Sequence, residues 1–353
     1  MTNNEIIVVI NPGSTSTKMA IYKGVTQIAD DVVRHDAETL SKFHTIWEQF
    51  DFRLEAVKAW MKTQGVIPAA VVGMGGLLKP LTCGTYRVDE AMLADARANL
   101  QGEHASNLGC AIAYEIAREY HCPSFVVDPI SVDEFEPLAR YSGHPLIQRN
   151  PLAHALNLHA VARRAAQELK RDLQDSSFVV VHMGGGISVV ALKNNRMIDV
   201  NDASSDGPFS PERTGGLPLQ QFISLCFSGK YTEPDMRKFI MGKGGLLAYL
   251  GTNSAKDVED RMAAGDKKAH EVFEAMAYQI AKEIGAMATV LRGNVDALVL
   301  TGGLASSKIL VEWITDRVRF IRPVLVYPGE DEMQAMALGA LRVIRGEEEA
   351  KKY

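Results

Sequence analysis

A short apolar run, a loop of small residues and a second strand-like run follow one another twice in this 353-residue chain. The first set spans residues 6–23 around the loop NPGSTST, and the second spans residues 177–192 around HMGGG. Strand-length apolar runs that end in turn residues are typical of buried sheet strands. Their recurrence in separate halves of the chain predicts a duplicated domain.

Amphipathic helical patterns occupy much of the sequence between these strand runs. A third apolar run, residues 297–301, precedes a glycine pair and a helix over residues 306–319 that Ser306 or Ser307 caps. Alternating strands and helices predict the α/β class. The other predicted helices cover residues 43–63, 89–99, 106–120, 153–172 and 267–291.

The length and the 46% apolar content predict two domains rather than one. We place the boundary near residue 150 and expect a C-terminal helix, about residues 332–345, to pack back on the first domain. The predicted domains are therefore residues 1–150 with 332–353, and residues 151–331. The helix at residues 267–291 is rich in Ala and Met, as an interdomain or dimer helix would be.

Charge and cysteine content narrow the classes of partner. A net charge of −5 gives no general attraction to nucleic acid or to an anionic membrane, so neither is expected as a partner. The four cysteines form no C-x-x-C pair and indicate reduced, buried thiols in a cytoplasmic protein. Neither a signal peptide nor a membrane-spanning run is recognisable, and the charged tail at residues 347–352 is interpreted as a frayed helix end.

The loop NPGSTSTK, residues 11–18, is the first candidate binding motif. Its small residues let backbone N–H groups approach a phosphate, and its hydroxyl groups add donors. A Walker A pattern is absent, because the G-x-x-x-x-G-K-[ST] spacing is missing and a strand rather than a helix follows. A polar hairpin turn is the alternative interpretation.

Two further glycine motifs occur in the second half. Three consecutive glycines in HMGGG, residues 182–186, favour close approach of the backbone to a ligand, with a tight β-turn as the alternative. His182 there is either a core histidine or a phosphate contact. TGGLASS, residues 301–307, places a glycine pair between a strand and a helix, which suits nucleotide contact near a helix N-terminus.

Three more polar residues are candidates from their position alone. Asp128 follows a strand and precedes Pro129, where α/β enzymes place functional carboxylates and where structural caps also occur. Arg213 lies in the Gly/Pro-rich loop SPERTGG and either neutralises a phosphoryl group or is a surface arginine. Glu332 opens a helix, where an acid also favours the helix dipole.

A set of short segments, taken together, matches one known family in order and spacing. The chain resembles the acetate and butyrate kinase family of acyl kinases, within the superfamily of sugar kinases, heat-shock ATPases and actin, and looks more like the butyrate kinases. The resemblance covers essentially the whole length. It rests on NPGSTSTK, GEHASNLG, VVDP, SGHP, HALN, HMGGGIS, DGPFSPERTG, CFSGK, AYLGT, AMAYQIAK and LTGGLA.

The resemblance implies a fold and a set of nucleotide contacts. The implied fold is α/β, with two duplicated ribonuclease H-like (actin-like ATPase) domains and an active-site cleft between them. The nucleotide-contacting positions of the family correspond to Asn11, Ser14, Ser16 and Lys18 in the first phosphate loop, to His182, Gly184, Gly185 and Gly186 in the second, and to Gly302, Gly303 and Ser306 in the adenosine-binding turn.

The resemblance also implies catalytic roles. Asp128 matches the active-site aspartate of the family, and His154 matches a histidine that contacts the transferring phosphoryl group. Arg213 matches the essential arginine of the R-[ST]-G loop. Glu332 matches the magnesium-associated glutamate, and Lys256 falls where relatives often carry an arginine near the adenine.

One position departs from the family pattern. Relatives commonly have an arginine before the Gly-Gly of the stretch that reads VVGMGGLLKP here, and this chain has Met74. That arginine is expected to help to hold the phosphoryl or carboxylate group. Lys79 and Arg87 are the nearby cations that would compensate for its loss.

The implied activity is reversible transfer of a phosphoryl group from ATP, with Mg²⁺, to the carboxylate of butyrate or another short or branched fatty acid. A carboxylate is already ionised at pH 7, so no strong general base is required. Positioning and charge neutralisation are then the main contributions. Neutralisation is expected of Arg213, His154 and His182, and metal positioning of Asp128, Asn11 and Glu332.

Two alternatives remain open at this stage. The first is an acetate or propionate kinase of the same family, because one methylene in an apolar pocket is worth only about 1–3 kcal/mol. The second is a nucleotide-switch regulator with weakened catalysis, which the fold alone permits and which Met74 favours. The resemblance and the long Ala/Met-rich helix both indicate a homodimer or a larger homo-oligomer.

Overall fold

The structure is a computed structural model that describes residues 4–353. The strands of this part of the chain are β1 (Ile6–Pro12), β2 (Ser16–Lys23), β3 (Thr26–Arg34), β4 (Ala70–Gly73), β5 (Thr85–Arg87), β6 (Ser124–Val127), β7 (Tyr141–His144), β8 (Ile147–Gln148), β9 (Ser177–Met183), β10 (Ile187–Lys193), β11 (Arg196–Val200), β12 (Ala297–Gly302) and β13 (Val324–Pro328).

The α-helices alternate with these strands, as the α/β prediction requires. They are α1 (Ala37–Leu40), α2 (Phe50–Gln64), α3 (Glu90–Arg97), α4 (Asn107–Glu119), α5 (Ala155–Glu168), α6 (Leu219–Cys226), α7 (Glu233–Ile240), α8 (Gly245–Leu250), α9 (Ala255–Ala263), α10 (Lys267–Val290), α11 (Lys308–Val318) and α12 (Glu332–Ile344). Short 3₁₀ helices cover Trp47–Gln49, Pro137–Arg140, Leu173–Asp175 and Gly303–Ser306.

The described residues divide into two compact units. Unit 1 comprises the described chain up to Asp133 together with Asp331–Tyr353, and unit 2 comprises Glu134–Glu330. The division falls earlier than the predicted boundary near residue 150. The physical reason is that residues just after Asp133 pair with β11 of unit 2: Glu134 Oε2 accepts from the Met197 amide at 2.9 Å, and the Glu136 amide donates to Ile198 O at 3.1 Å.

The two central sheets repeat one strand order. Unit 1 has the order β3-β2-β1-β4-β6-β5, in which β1, β2 and β3 are antiparallel neighbours and β1, β4 and β6 are parallel. Unit 2 has the order β11-β10-β9-β12-β13, again with three antiparallel strands followed by two parallel ones. The duplicated architecture predicted from the sequence is therefore present, and β5 is an additional antiparallel edge in unit 1.

The loops that follow β1 and β9 occupy equivalent places in the two sheets. Each lies at the tight connection between the central strand and its antiparallel neighbour. Both central strands, β1 and β9, are continuous apolar runs and are almost entirely buried. This is expected where helices cover both faces of a sheet. Asn194 and Asn195 form the turn between β10 and β11, with φ of 53° and 61°, the backbone that a two-residue hairpin requires.

The C-terminal segment contains the predicted helix on unit 1 and differs from its prediction only in the tail. Helix α12 packs on the sheet of unit 1, where Gly339 lies against Val127 with no room for a Cβ atom. Beyond it the tail is not a frayed helix end, because Lys351 pairs with β5: its amide donates to Thr85 O at 2.8 Å and its carbonyl accepts from the Arg87 amide at 3.0 Å.

The long helix α10 also differs from its prediction. Its Ala/Met-rich stripe is buried within unit 2, where Phe273, Met276 and Ile280 are 0% exposed in the core beneath β9 and β10. The apolar side chains of this stripe are thus buried within a single chain, and they give no support to a role of α10 as a dimer helix. Among the helices of residues 4–353, none combines the length and apolar character needed to cross a membrane.

Candidate active site

The first phosphate loop is a tight turn between β1 and β2 in unit 1. Asn11 stands opposite Lys18 in the antiparallel register, and the Gly13 amide donates to Ser16 O at 2.8 Å to close the turn. Ser14 is exposed at the tip, and Ser16 is half-buried at the start of β2. Lys18 is exposed on β2. Within residues 4–353 no acceptor takes the Ser14 amide, so the exposed tip offers backbone N–H and hydroxyl donors, as an anion site requires.

Asn11 and Glu332 lie together in unit 1, although 321 positions separate them in the chain. Asn11 Nδ2 donates to Glu332 Oε2 at 3.0 Å. Glu332 is the first residue of α12, which is anchored on the sheet that contains β1, and this packing accounts for the contact. The pair offers amide and carboxylate oxygens, the ligand type that Mg²⁺ prefers.

Asp128 follows β6 in a left-handed backbone conformation, with φ of 40°. It is 7% exposed, and its Oδ1 accepts a hydrogen bond from the Gly84 amide at 2.6 Å. The Asp128 amide donates in turn to Gly84 O at 3.0 Å. Such reciprocal bonds fix the carboxylate on the carboxyl end of a buried strand, and non-glycine residues with positive φ are concentrated at functional sites.

The stretch around Met74 turns after β4 and is fixed by close backbone packing. The Met74 amide donates to Ile10 O at 2.9 Å, and a Cβ atom on Gly109 of α4 would lie 2.3 Å from Met74 O. Of the two cations considered as replacements for arginine, Lys79 places Nζ 3.8 Å from the ring centroid of Tyr353. Arg87 is exposed on β5.

The second phosphate loop is the glycine turn between β9 and β10 in unit 2. The Gly184 amide donates to Gly186 O at 3.0 Å, and Ser210 Oγ donates to Gly185 O at 2.6 Å. Gly185 is exposed, and apart from its chain neighbours no atom of the described residues lies within 4 Å of a Cβ built on it. Open space above this turn fits the close approach of a phosphate to the backbone.

Arg213 lies directly against this glycine turn. A Cβ atom on Gly186 would be 2.3 Å from Arg213 Nη1 and 2.7 Å from Cζ, so glycine is required for the guanidinium to occupy its place. Arg213 Nη1 donates to Ala203 O at 2.7 Å, and the Arg213 amide donates to Ser210 Oγ at 3.1 Å. Burial lowers the pKa of Arg213, but a guanidinium remains charged at pH 7.

His154 and His182 are stacked in unit 2, with ring centroids 3.9 Å apart and an interplanar angle of 14°. His154 immediately precedes α5, and its Nδ1 lies 3.0 Å from Ser188 Oγ on β10. Burial, then the neighbouring His182, then Arg213 hold the pKa of His154 well below its ordinary value of 6.5. His154 is therefore a neutral imidazole at pH 7 rather than a cation.

His182 has its ring fixed by two residues that the sequence analysis did not single out. Its Nδ1 lies 2.8 Å from Asn157 Oδ1, and Asn157 Nδ2 donates to Glu330 O at 2.9 Å. This arrangement makes Nδ1–H the donor, and it leaves the buried Nε2 without a hydrogen-bond partner in the described chain. Glu330 Oε1 is 3.5 Å from that Nε2. Asn157 ends the quoted HALN segment, three residues after His154, and its place in this segment does not indicate a contact with His182.

The third glycine motif ends β12 in unit 2. Gly302 has φ of 89°, and a Cβ atom there would lie 2.4 Å from Met183 O, so a side chain is excluded. Gly303 and Ser306 are exposed in the 3₁₀ turn that follows. The helix cap is Ser307, which accepts from the Leu310 amide, so α11 begins at Lys308 and not at residue 306. Lys256 is exposed on α9, and among the described residues it has no hydrogen bond or ion pair with this turn.

Each unit thus gathers part of the predicted set. Unit 2 combines a fixed guanidinium, two stacked imidazoles and a glycine turn, which is suited to neutralising and orienting a phosphoryl group. Unit 1 combines a turn that presents backbone amides with the side-chain oxygens of Asn11 and Glu332. The amides are suited to binding a phosphate, and the oxygens are suited to binding a divalent cation.

Comparison with known proteins gives a consistent result along the chain. The model of the acetokinase family matches residues 142–321. A probable butyrate kinase 2 from Caldanaerobacter subterraneus is 51% identical over 350 residues, which are 98% of this chain and 99% of that protein. Butyrate kinase 2 from Clostridium acetobutylicum is 50% identical over 351 residues, again 98% of this chain and 99% of that protein.

The fold is also similar to that of a solved acyl kinase structure. The crystal structure of Porphyromonas gingivalis acetate kinase superposes with a TM-score of 0.77 at 19% sequence identity, covering 97% of this chain and all of that one. At this level of identity the likeness supports the fold alone. It agrees with the repeated strand order of the two units, which is the actin-like ATPase architecture that the sequence resemblance implied.

Proposed function

The chain belongs to the acetokinase family, and from that premise we propose that it is a butyrate kinase. The reaction is reversible transfer of the γ-phosphoryl group of ATP to the carboxylate of butyrate, which gives butyryl phosphate and ADP. The observation that carries the proposal is the placement of Arg213 against Gly186, beside the stacked pair His154 and His182. A cation and two imidazoles around an open glycine turn match the charge and size of a phosphoryl group.

The chemistry requires little from a general base. A carboxylate oxygen of the acid, already ionised at pH 7, attacks the γ-phosphorus in line, and the bond from that phosphorus to the bridging oxygen of ADP breaks. No proton needs to move in this step. The contribution of the protein is to hold the reacting atoms in line and to offset negative charge on the phosphoryl oxygens.

The unit 2 residues divide this work. Arg213 supplies the fixed positive charge, because its guanidinium is charged and held by Ala203 O. His154 acts as a neutral hydrogen-bond donor, because its low pKa keeps it uncharged at neutral pH. His182 acts through Nε2, because Nδ1–H is held by Asn157. Nε2 donates to a phosphoryl oxygen in the form of the ring that carries both protons. The family resemblance led us to expect charge on all three residues. The low pKa of His154 limits this one residue to the role of a neutral hydrogen-bond donor.

The unit 1 residues are assigned to the terminal phosphate of ATP and to the cation. Asn11 and Glu332 would hold Mg²⁺, and their neighbouring oxygens fit a hard divalent cation. Magnesium, when bound, would offset part of the negative charge of the phosphates. Asp128, whose carboxylate is fixed by the Gly84 amide, would help to position the metal. The backbone amides of Ser14 and Thr15, in the turn that contains Ser16, bind phosphate oxygens.

The direct test is formation of acyl hydroxamate with MgATP and hydroxylamine, comparing acetate, propionate, butyrate, isobutyrate and valerate by kcat/KM. We expect the highest kcat/KM for butyrate or isobutyrate, and this result would also mean that Met74 is tolerated. Arg213→Ala should remove the signal, whereas Arg237→Ala, at an exposed ion pair with Glu233, should retain it. A peak at acetate or propionate would contradict the butyrate assignment. Nucleotide binding without acid-dependent turnover would favour the nucleotide-switch alternative.

The proposal extends to a homodimer or larger homo-oligomer that acts in the cytoplasm, where ATP is available. Exposed apolar side chains along one side of α6 support self-association: Leu219 is 72% exposed, Ile223 is 50% exposed and Phe227, just after the helix, is 86% exposed. Light scattering coupled to size-exclusion chromatography tests this part. A monomer mass across the working concentration range would contradict it.

A further inference from the structure

We propose that Arg53 of α2 is a positioning residue that holds the first phosphate loop in its anion-binding conformation. The negative charge of the phosphate bound by the loop then offsets the cost of burying the positive charge of Arg53. The inference rests on the proposed function, because it assigns the loop to the transferring phosphate of ATP. No motif in the sequence marks Arg53. Its side chain is 0% exposed and is the largest among the fully buried side chains of unit 1.

Arg53 holds the inner side of the turn formed by residues 13–16. Its Nη1 donates to Gly13 O at 2.9 Å and to Ser16 O at 3.0 Å, and its Nη2 donates to Ser14 O at 3.3 Å. The one remaining carbonyl of the turn, that of Thr15, accepts from the His35 amide at 2.9 Å. All four carbonyl groups of the turn are therefore satisfied from the protein side.

This arrangement determines which backbone groups face outward. In a trans peptide the carbonyl and the following N–H point in opposite directions, so carbonyls held by Arg53 direct the following amides away from it. In residues 4–353 no acceptor takes up the Ser14 or Thr15 amide, and both residues are exposed. Successive outward amides form an anion-binding concavity. The guanidinium thus organises the donor side of the loop without touching the ligand.

Among residues 4–353, no acid forms an ion pair with Arg53. Within the described chain its partners are carbonyl oxygens, Thr17 Oγ1 at 3.1 Å and Gln49 Oε1, which accepts from both Nε and Nη2 at 3.0 and 2.9 Å. A buried charge without a counter-ion is costly, and burial lowers the pKa of Arg53 accordingly. An anion bound on the far side of the turn would offset that cost.

The neighbouring histidine does not supply a second charge. His35 Nε2 lies 2.9 Å from Thr17 Oγ1, and burial, followed by the charge of Arg53, lowers the pKa of His35. His35 is therefore neutral at pH 7, and the positive charge under the turn belongs to Arg53. A lysine at position 53 would keep that charge but could not reach the separate carbonyls, because it lacks the planar fork of guanidinium N–H groups.

The test compares Arg53→Lys and Arg53→Met with the parent chain by calorimetric titration of two probes, magnesium adenylyl imidodiphosphate and MgADP. If the loop holds the terminal phosphate, Arg53→Lys should weaken binding of the triphosphate analogue about tenfold, while binding of ADP changes by less than about twofold. Arg345→Lys, which alters an ion pair with Glu5 in the same unit, is the matched control and should leave both affinities unchanged. Thermal unfolding of each variant is measured first.

Two results would overturn the inference: equal affinities in the parent and Arg53→Lys, or an equal loss of affinity for both probes, which is what a merely structural role predicts. Should Arg53→Met fail to fold, Arg53→Lys alone decides between these results. Steady-state kinetics give a second readout, with a raised KM for MgATP and an unchanged KM for butyrate expected in Arg53→Lys. Failure of the proposed function is distinguishable, because the parent chain itself would then form no acyl phosphate.

Discussion

The guanidinium of Arg213 occupies the space that a side chain on Gly186 would need, with Nη1 only 2.3 Å from the position of a Cβ atom. Gly186→Ala must therefore displace Arg213 by about 1 Å, since real Cβ contacts do not fall below 3.0 Å. We expect kcat to fall roughly 100-fold, because a misplacement of this size has that effect on a charge-stabilising group. Steady-state acyl phosphate formation measures it.

The matched control for this substitution is Gly285→Ala. Gly285 lies within α10, and outside the adjacent helix backbone no atom of residues 4–353 lies within 4 Å of a Cβ atom built there. Alanine in a helix interior should raise the free energy of unfolding by about 0.5–1 kcal/mol, with unchanged kcat. Normal kcat in Gly186→Ala would mean that the position of Arg213 is not critical for turnover.

Removal of the Arg213 side chain tests its charge directly. Arg213→Ala should lower kcat by about 10²–10³-fold, the effect of deleting one donor to charge that develops in a transition state. The free energy of unfolding should fall by no more than about 1 kcal/mol, because one hydrogen bond to Ala203 O is lost from a half-buried side chain. Chemical denaturation and turnover of the same preparation separate the two effects, and near-normal kcat would contradict the assignment.

The strands that carry the candidate site were predictable because local sequence determines them. The apolar runs that become β1 and β9 end in small residues, and this local pattern predicted both loops. Strand β3 was not predicted, because its sequence TQIADDVVR is polar and largely exposed and lacks a clear strand period. The helix predicted from residue 43 begins as α2 only at Phe50, after a 3₁₀ turn over Trp47–Gln49.

The residues that support the site were not predictable, because their partners are distant in the chain. Asn157 contacts His182 across 25 positions and the Glu330 carbonyl across 173. Arg53 lies on an amphipathic helix, where an arginine in the sequence indicates an exposed face, and only the fold places it beneath the turn between β1 and β2. Composition and periodicity contain no information on such contacts.

Asn157 offers a test of how His182 is oriented. Asn157→Ala removes the acceptor of the Nδ1–H bond, so the imidazole can rotate and Nε2 no longer has a fixed direction. We expect kcat to fall roughly ten- to a hundredfold. The double variant Asn157→Ala with His182→Ala should be no worse than His182→Ala alone, because the asparagine acts through the histidine. Additive losses in this cycle would contradict the positioning role.

The tail residue Lys351 supports the loop that orients Asp128. Its Nζ donates to Thr82 Oγ1 at 2.9 Å and to Cys83 O, next to the Gly84 amide that holds Asp128 Oδ1. Lys351→Met should therefore increase hydrogen exchange at Gly84 and lower kcat several-fold. The exposed neighbour Lys352→Met is the matched control. Unchanged exchange at Gly84 would mean that the backbone pairing of the tail with β5 is sufficient.

The low pKa of His154 predicts how stability depends on pH. A histidine whose pKa is lower in the folded than in the unfolded chain takes up its proton preferentially on unfolding, so stability is complete above the ordinary value of 6.5 and is lost as the pH falls toward the folded value. Unfolding free energy should therefore decline from about pH 7 to about pH 5, the range over which an unperturbed imidazole titrates.

His154→Asn should reduce this decline, because the buried imidazole that resists protonation is gone. Some dependence on pH should remain, since burial also lowers the pKa of His35 and His104. Denaturant titrations of the parent and the variant at several pH values measure the difference, and His270→Asn, at an exposed position of α10, controls for loss of a histidine as such. Identical slopes for the parent and His154→Asn would show that His154 accepts a proton in the folded chain as readily as in the unfolded one. In that case the hydrogen-bonding role assigned to a neutral His154 would have to be replaced by the cationic role that the family resemblance first implied.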